Sequence, residues 1–261
     1  MKNTFKPLYL KLIALSGGLL GALLRNVLYT TGLDGTGLLQ RGHWARTGLL
    51  GLSVLLCVLL AAGCRLVPGS KHGKEQPQSL VAGIGCFLGA GGFLMTALSD
   101  RTAAVSGLDQ VSVILSLLSA AALVYVGIHR CIGRKPSFAA HGLVCISFAL
   151  RMVCQYRLWS SDPQLSDYNF YMLSHVGLML TGYHFAALDA GEMQYRRLWF
   201  FGLISIFFCL TSLYGNMSGP FILMCALWVL TNLPPIVQSK PKSASPTNEN
   251  AAPQTTDPEK R

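Results

Sequence analysis

The stretch Ser79-Leu-Val-Ala-Gly-Ile-Gly-Cys-Phe-Leu-Gly-Ala-Gly-Gly-Phe-Leu-Met-Thr-Ala-Leu98 runs without a charged residue, and its small residues Ala82, Gly85, Gly89, Gly92 and Thr96 recur at spacings of three and four. A run of about 20 apolar residues matches the roughly 30 Å hydrocarbon core of a bilayer when it is helical. The three-four spacing puts the small side chains on one helix face. In lipid, helices associate through close backbone approach, so such a face is where a neighbour packs. The stretch reads as a membrane-spanning helix with a tight packing surface.

Seven further runs of this kind flank it. The expected spans are 8–29, 47–67, 79–98, 110–130, 137–154, 170–190, 198–214 and 219–236, followed by a tail, 239–261, rich in Pro, Ser, Thr and Asn. Such a tail buries too little apolar surface to offset its ordering entropy and is expected to be disordered. Between the last two spans, Tyr214-Gly-Asn-Met-Ser-Gly-Pro220 carries the residues of a tight helical hairpin. Composition agrees: 51% of the 261 residues are hydrophobic and 12% charged, against roughly 25% charged in a soluble domain. The expected fold class is an all-α polytopic transmembrane bundle of about eight spans.

Basic residues set the orientation, because loops rich in Lys and Arg stay on the cytoplasmic side. With the N-terminus inside, fourteen of the 21 fall on cytoplasmic segments, among them Arg65, Lys71, Lys74, Arg130, Arg134, Lys135, Arg196 and Arg197. Five fall outside: Arg41, Arg46, Arg101, Arg151 and Arg157. Lys11 and Arg25 lie within the first span, which reads as uncleaved because no A-x-A-like site follows it. Both termini are expected in the cytoplasm and the protein in the plasma membrane.

The net charge of +10 punctuates hydrophobic runs rather than coating one face, which argues against nucleic acid as a partner. The bilayer is the expected partner, with room for a membrane or cytoplasmic partner subunit. The eight cysteines lie in or beside apolar runs, with no C-x-x-C and no histidine at metal spacing, so they read as small buried residues and no metal or cofactor is expected. No phosphate-binding loop, H-E-x-x-H or G-x-S-x-G occurs. An intramembrane enzyme would need facing carboxylates or a nucleophile with its base, and among the acidic residues only Asp189 falls clearly inside an expected span.

The polar residues inside the spans are the candidate site. In the first span Gly17, Gly21, Arg25 and Tyr29 share a stripe at four-residue spacing, which turns Arg25 into the bundle. Arg25 lies about 17 residues, roughly 25 Å, along its helix and so near the outer boundary. Arg151 reaches a similar depth. A buried arginine is costly, about 2.5–3.5 kcal/mol at the bilayer centre on insertion scales, and calls for a counter-charge or a function. Asp34, Asp100, Asp109 and Asp167 are the outer carboxylates that could pair with these arginines; alternatively the two cations recognise an anionic group from outside. Leu24-Arg25-Asn26-Val27 and Leu150-Arg151-Met152-Val153 sit at matching places, which suggests a 4+4 parallel repeat.

The sixth span carries two polar stripes. Ser174, Gly177, Thr181 and His184 form one, while His175, Gly182, Ala186 and Asp189 form another nearly opposite. A helix marked on both flanks is expected at the centre of the bundle. His175, His184 and Asp189 then lie at three depths and are candidate ligand or ion-path residues, as is His141 of the fifth span, with Asp189 expected at the interface beside Arg196 and Arg197. Trp44, Trp159 and Trp199 fall at span ends as expected aromatic anchors, and Arg130, Arg134 and Lys135 form a basic cluster suited to anionic lipids.

The segment Leu24-Arg-Asn-Val-Leu-Tyr-Thr-Thr-Gly-Leu-Asp34, with Gly37-Leu-Leu and Gly42-His43, resembles uncharacterised bacterial multi-pass integral membrane proteins. The resemblance covers about 20 residues and implies no activity, cofactor or catalytic residue. From its residues alone the segment is a helix end turned by Gly32, Gly35 and Gly37, with Asp34 within reach of Arg25. The expected function is that of a small-solute or ion transporter or its membrane subunit, with Arg25 and Arg151 as outer cations and the sixth helix lining the path. The alternative is a sensory or scaffolding subunit whose polar residues only hold helices together.

Overall fold

A computed structural model describes residues 7–33, 39–40, 42–67, 79–103, 106–160, 168–192, 194–214 and 218–234. These form eight α-helices: α1 Pro7–Thr31, α2 Trp44–Arg65, α3 Leu80–Ala103, α4 Gly107–Ile132, α5 Phe138–Trp159, α6 Asn169–Ala190, α7 Tyr195–Thr211 and α8 Gly219–Asn232. No strand occurs among the described residues beyond a single bridge between Leu33 and Leu39. The expectations placed on Asp34, Gly35, Gly37, Arg41, Lys71, Lys74 and Asp167, on residues 215–217 of the last hairpin and on the tail 239–261 lie outside the described residues.

Local chemistry sets several helix ends. Ser106 and Asp109 form a reciprocal capping box at the start of α4, satisfying two backbone donors that would otherwise be orphaned. Gly133 (φ 77°) ends α4 and Gly191 (φ 89°) ends α6 in the left-handed conformation that glycine adopts without strain. His43 caps α2 through Nδ1, and its Nε2 lies 3.4 Å from Thr31 Oγ1 at the end of α1. Helix α8 stops at Asn232, just before Pro234, because the residue preceding a proline disfavours helical backbone.

Helices α1 to α5 are each long and apolar enough to cross a membrane, which suggests a membrane location. Helix α6 has the length but carries Ser174, His175, Thr181, His184 and Asp189. Helices α7 and α8, with 17 and 14 residues, are shorter than the roughly 20 of a full span.

The chain runs up and down between two ends. Lys11, Val67, Ala82, Arg130, His141, Asp189, Trp199 and Asn232 meet at the end where α1 begins, here called proximal. Arg25, Asp100, Arg151, Phe170, Tyr171, His175 and Phe221 meet at the opposite, distal end. Six helices close a ring in the order α3, α4, α5, α6, α7, α8 and back to α3, with α6 and α8 also touching across it. The α1–α2 hairpin packs outside this ring, against α7. A 4+4 repeat would pair the α6–α7 interface with one between α2 and α3, but α2 packs on α1 and α7 instead, so the packing lends the repeat no support.

Small residues position the ring. On α3, Gly85 faces Thr231, Gly89 faces Trp228, and Gly92 faces Met224 and Phe221, all on α8. Asn232 Nδ2 donates to the Ala82 carbonyl at 3.1 Å, fixing the proximal end of the same contact. On α1, Gly17 faces Leu56 of α2, while Gly18 and Gly21 face Leu210 and Thr211 of α7. Close backbone approach of this kind gains dispersion contacts that lipid tails cannot supply. The largest buried side chains, among them Trp228, Phe93, Phe148, Phe185 and Phe221, gather in the core that the ring encloses.

Candidate functional site

Two ionic clusters occupy the two ends of the ring, one closed to solvent and one open at its carboxylate. At the distal end, Arg151 of α5 is 2% exposed and its Nη1 donates to Asp100 Oδ2 of α3 at 2.9 Å. Asp100 is much more open, with 37% of its side chain accessible. The guanidinium also lies 4.8 Å from the Phe221 ring centroid of α8, a cation–π distance. Tyr171 and His175 of α6 complete this cluster. Both are buried, their rings are 4.3 Å apart, and His175 Nδ1 lies 3.0 Å from the Tyr171 carbonyl oxygen.

At the proximal end, Asp189 of α6 is shared between two partners. Its Oδ1 accepts from Arg130 Nη2 of α4 at 2.8 Å, and its Oδ2 lies 2.8 Å from His141 Nδ1 of α5. All three side chains are nearly closed to solvent, so they interact in a low dielectric, where attraction and desolvation cost are both large. Nearby, Cys86 Sγ donates to Asn232 Oδ1 at 3.5 Å.

A column of aromatic rings joins the two clusters. His175 meets Phe148 edge-on at 5.9 Å; Phe148 stacks on Trp228 at 6.5 Å; Trp228 stacks on His141 at 6.2 Å. Phe93 and Phe221 brace the distal half, and Phe185 the proximal half. The column is aromatic between its charged ends, and the buried Trp228 indole N–H is the polar atom in its middle.

The structure sorts the residues singled out from sequence. Of the two described carboxylates offered to Arg151, Asp100 and Asp109, it is Asp100 that pairs with it. Arg25 lies over the Tyr29 and Phe170 rings, with Nη2 3.4 Å from the Tyr29 hydroxyl, so it reaches the first turn of α6 on a different side from Arg151. On α6, Gly177 and Thr181 face Ser205 of α7, and His184 stacks on Phe201 at 5.2 Å. Gly182 and Asp189 face α5. His184 is therefore half-buried against α7 and apart from both clusters.

Four expectations need correction. Asp189 is not paired with Arg196 and Arg197; its side chain is enclosed by Arg130 and His141, and Arg196 Nε instead donates to the Val67 carbonyl at 2.7 Å. Arg130 does not join Arg134 and Lys135 as a lipid-facing cluster, because burial beside Asp189 gives it a counter-charge inside. Trp199 is not an interfacial anchor: it is buried, with Lys11 Nζ 5.5 Å from its ring centroid. Asp189 is also not the only acid on a long helix, since α3 extends beyond the expected span to include Asp100.

Tyr171 and Trp228 escape a reading of the sequence. The spacing of Tyr171 and His175, one turn apart on α6, is the available signal; nothing in sequence marks Trp228 as the link between two charged ends. Together these features define an all-helical bundle with long apolar helices and a polar-ended, aromatic-filled ring. Comparison with known proteins gives no match, whether to a family model, a curated protein or a solved structure.

Proposed function

We propose that the protein is a multi-pass plasma-membrane protein that moves a small solute or ion, with the α3–α8 ring as its path and both termini in the cytoplasm. The observation that carries this reading is the pair of charge clusters, Arg151–Asp100 and Arg130–Asp189–His141, at opposite ends of one ring. A single structural ion pair would suffice to hold helices. Two of them, each linking a different set of helices at opposite ends of one enclosed core, are suited to act as alternating closures. The distal pair ties α5 to α3, and the proximal one ties α6 to α4 and α5. Breaking one while keeping the other opens one end only.

A second reading is favoured by α2, which presents Leu50, Val54, Leu55, Val58 and Leu59 outward, away from α1 and α7. This surface suits lipid or a partner helix, as in a sensory or scaffolding subunit. Thiol access separates the readings. Cys86 and Cys225 are fully buried. Cys86 bonds to Asn232 near the proximal cluster, and Cys225 lies one helical turn from Phe221 in the distal half. Single-cysteine forms in sealed vesicles are exposed to a membrane-impermeant methanethiosulfonate. Transport requires Cys86 to react from the proximal side and Cys225 from the distal side. If neither reacts from either side in the folded protein, the path does not open and the subunit reading stands.

A further inference from the structure

Buried polar atoms are satisfied in more than about 90% of cases. The distal cluster departs from this at three atoms together. Arg151 Nε, the Tyr171 hydroxyl and His175 Nε2 are all buried; the Tyr171 hydroxyl lies beside the Arg151 guanidinium, and no well-formed hydrogen bond satisfies these three atoms among the described residues. Each belongs to a residue no more than 2% exposed. Their chemistry is specific. Arg151 Nε is a donor with a permanent charge, and the tyrosine hydroxyl donates or accepts. His175 Nδ1 faces a carbonyl, which can only accept, so Nδ1 carries the proton and the neutral ring turns a bare lone pair out through Nε2.

We infer that these three groups bind a small monocarboxylate bearing a hydroxyl or amine donor next to its carboxylate, and that Asp100 is the internal carboxylate it displaces. The ligand's carboxylate meets Arg151 and Tyr171, and its neighbouring donor meets His175 Nε2. Its short apolar remainder lies against Phe148 and Phe221, which already flank His175 and the guanidinium. Asp100 can leave because it is the exposed member of its pair: its carboxylate regains water on release, whereas Arg151 would be stranded without a replacement. A dianion such as phosphate is disfavoured, because one guanidinium faces it and the Asp100 carboxylate stays close by.

The inference names the substrate class of the transport reading and rests on that reading for any movement of the ligand once bound. It is tested on the full chain in lipid nanodiscs by calorimetry, with lactate, acetate and lactamide as probes. Lactate is expected to bind. Acetate, which leaves His175 Nε2 unmet, is expected to bind about tenfold more weakly, the equivalent of roughly 1.4 kcal/mol. Lactamide, which lacks the charge, is expected not to bind. Asp100→Asn removes the competitor and should tighten lactate about tenfold, a gain that a purely structural pair would not produce. Arg151→Gln should abolish binding. Should that variant fail to fold, Tyr171→Phe serves in its place, with an expected loss of about tenfold.

The inference is overturned if wild-type and Asp100→Asn proteins both ignore lactate, or if Tyr171→Phe and Asp100→Asn leave its affinity unchanged. The thiol experiment keeps the two failures apart. Lactate binding with closed thiols sinks transport and leaves the site standing; reactive thiols without lactate binding sink the site alone.

Discussion

Replacing Arg130 by methionine removes one member of the proximal cluster and leaves the Asp189 carboxylate buried. Removing one partner of a buried ion pair costs about 3–5 kcal/mol, because the other charge keeps its desolvation penalty without its compensation. Asp189 retains His141 Nδ1 at 2.8 Å, which places the expected cost near the lower end. At about 2–4 °C per kcal/mol for a chain of this size class, the melting temperature in detergent should fall by roughly 6–12 °C. Asp189→Asn should cost less, since Arg130 lies two residues from the end of α4 and its long stem lets the guanidinium reach the interface. The Arg130→Met/Asp189→Asn double variant strands neither charge, so it should melt at least about 4 °C above Arg130→Met alone. All four proteins are compared by the same thermal unfolding assay. Losses in the double variant that equal the sum of the singles would refute the reasoning, because an additive result means the two side chains do not interact energetically.

Three further outcomes follow from packing. Gly85→Ala should destabilise by about 1–3 kcal/mol, since its methyl would collide with the Thr231 hydroxyl and force α3 from α8, whereas Gly91→Ala, with open space around it, should melt like wild type. Trp199→Ala should lower stability by about 3–5 kcal/mol through a core cavity and loss of the Lys11 contact, and Trp44→Ala, 62% exposed, should leave the melting temperature unchanged. Ser147→Ala breaks the 2.5 Å contact with Ser119 and the bond to the Leu115 carbonyl between α4 and α5, and should cost about 0.6 kcal/mol, with about 1.7 as a ceiling, by the same assay.

The helices are legible in the sequence because apolar run length and small-residue spacing are local properties. The stripe from Ala82 to Thr96 names the face of α3 that packs, and the two stripes of α6 name the faces that meet α7 and α5. Helix α5 is expected to end at residue 154 and runs on to Trp159, and Arg151, inside the expected span, is paired with Asp100 of α3. Partners are illegible for a related reason. Arg196 and Arg197 are near Asp189 in sequence, but its cation comes from Arg130, 59 residues away, because helix order around a ring is not encoded in any single helix. Trp199 sits at a helix end, where an anchor belongs, and is core only because α1 lies across it.

The ring has a seam with a timing of its own. Helix α8 is the last helix of the ring to leave the ribosome, yet it is the wedge that joins α7 to α3, and Asn232 reaches Cys86 across 146 residues of chain. At roughly 5–20 residues per second, the glycine face of α3 waits about 7–30 seconds for its permanent neighbour. During that interval the face is a naked, adhesive surface in a crowded bilayer. A nascent chain stalled before Gly219 would therefore be a natural client for membrane chaperones and an early target for quality-control proteolysis.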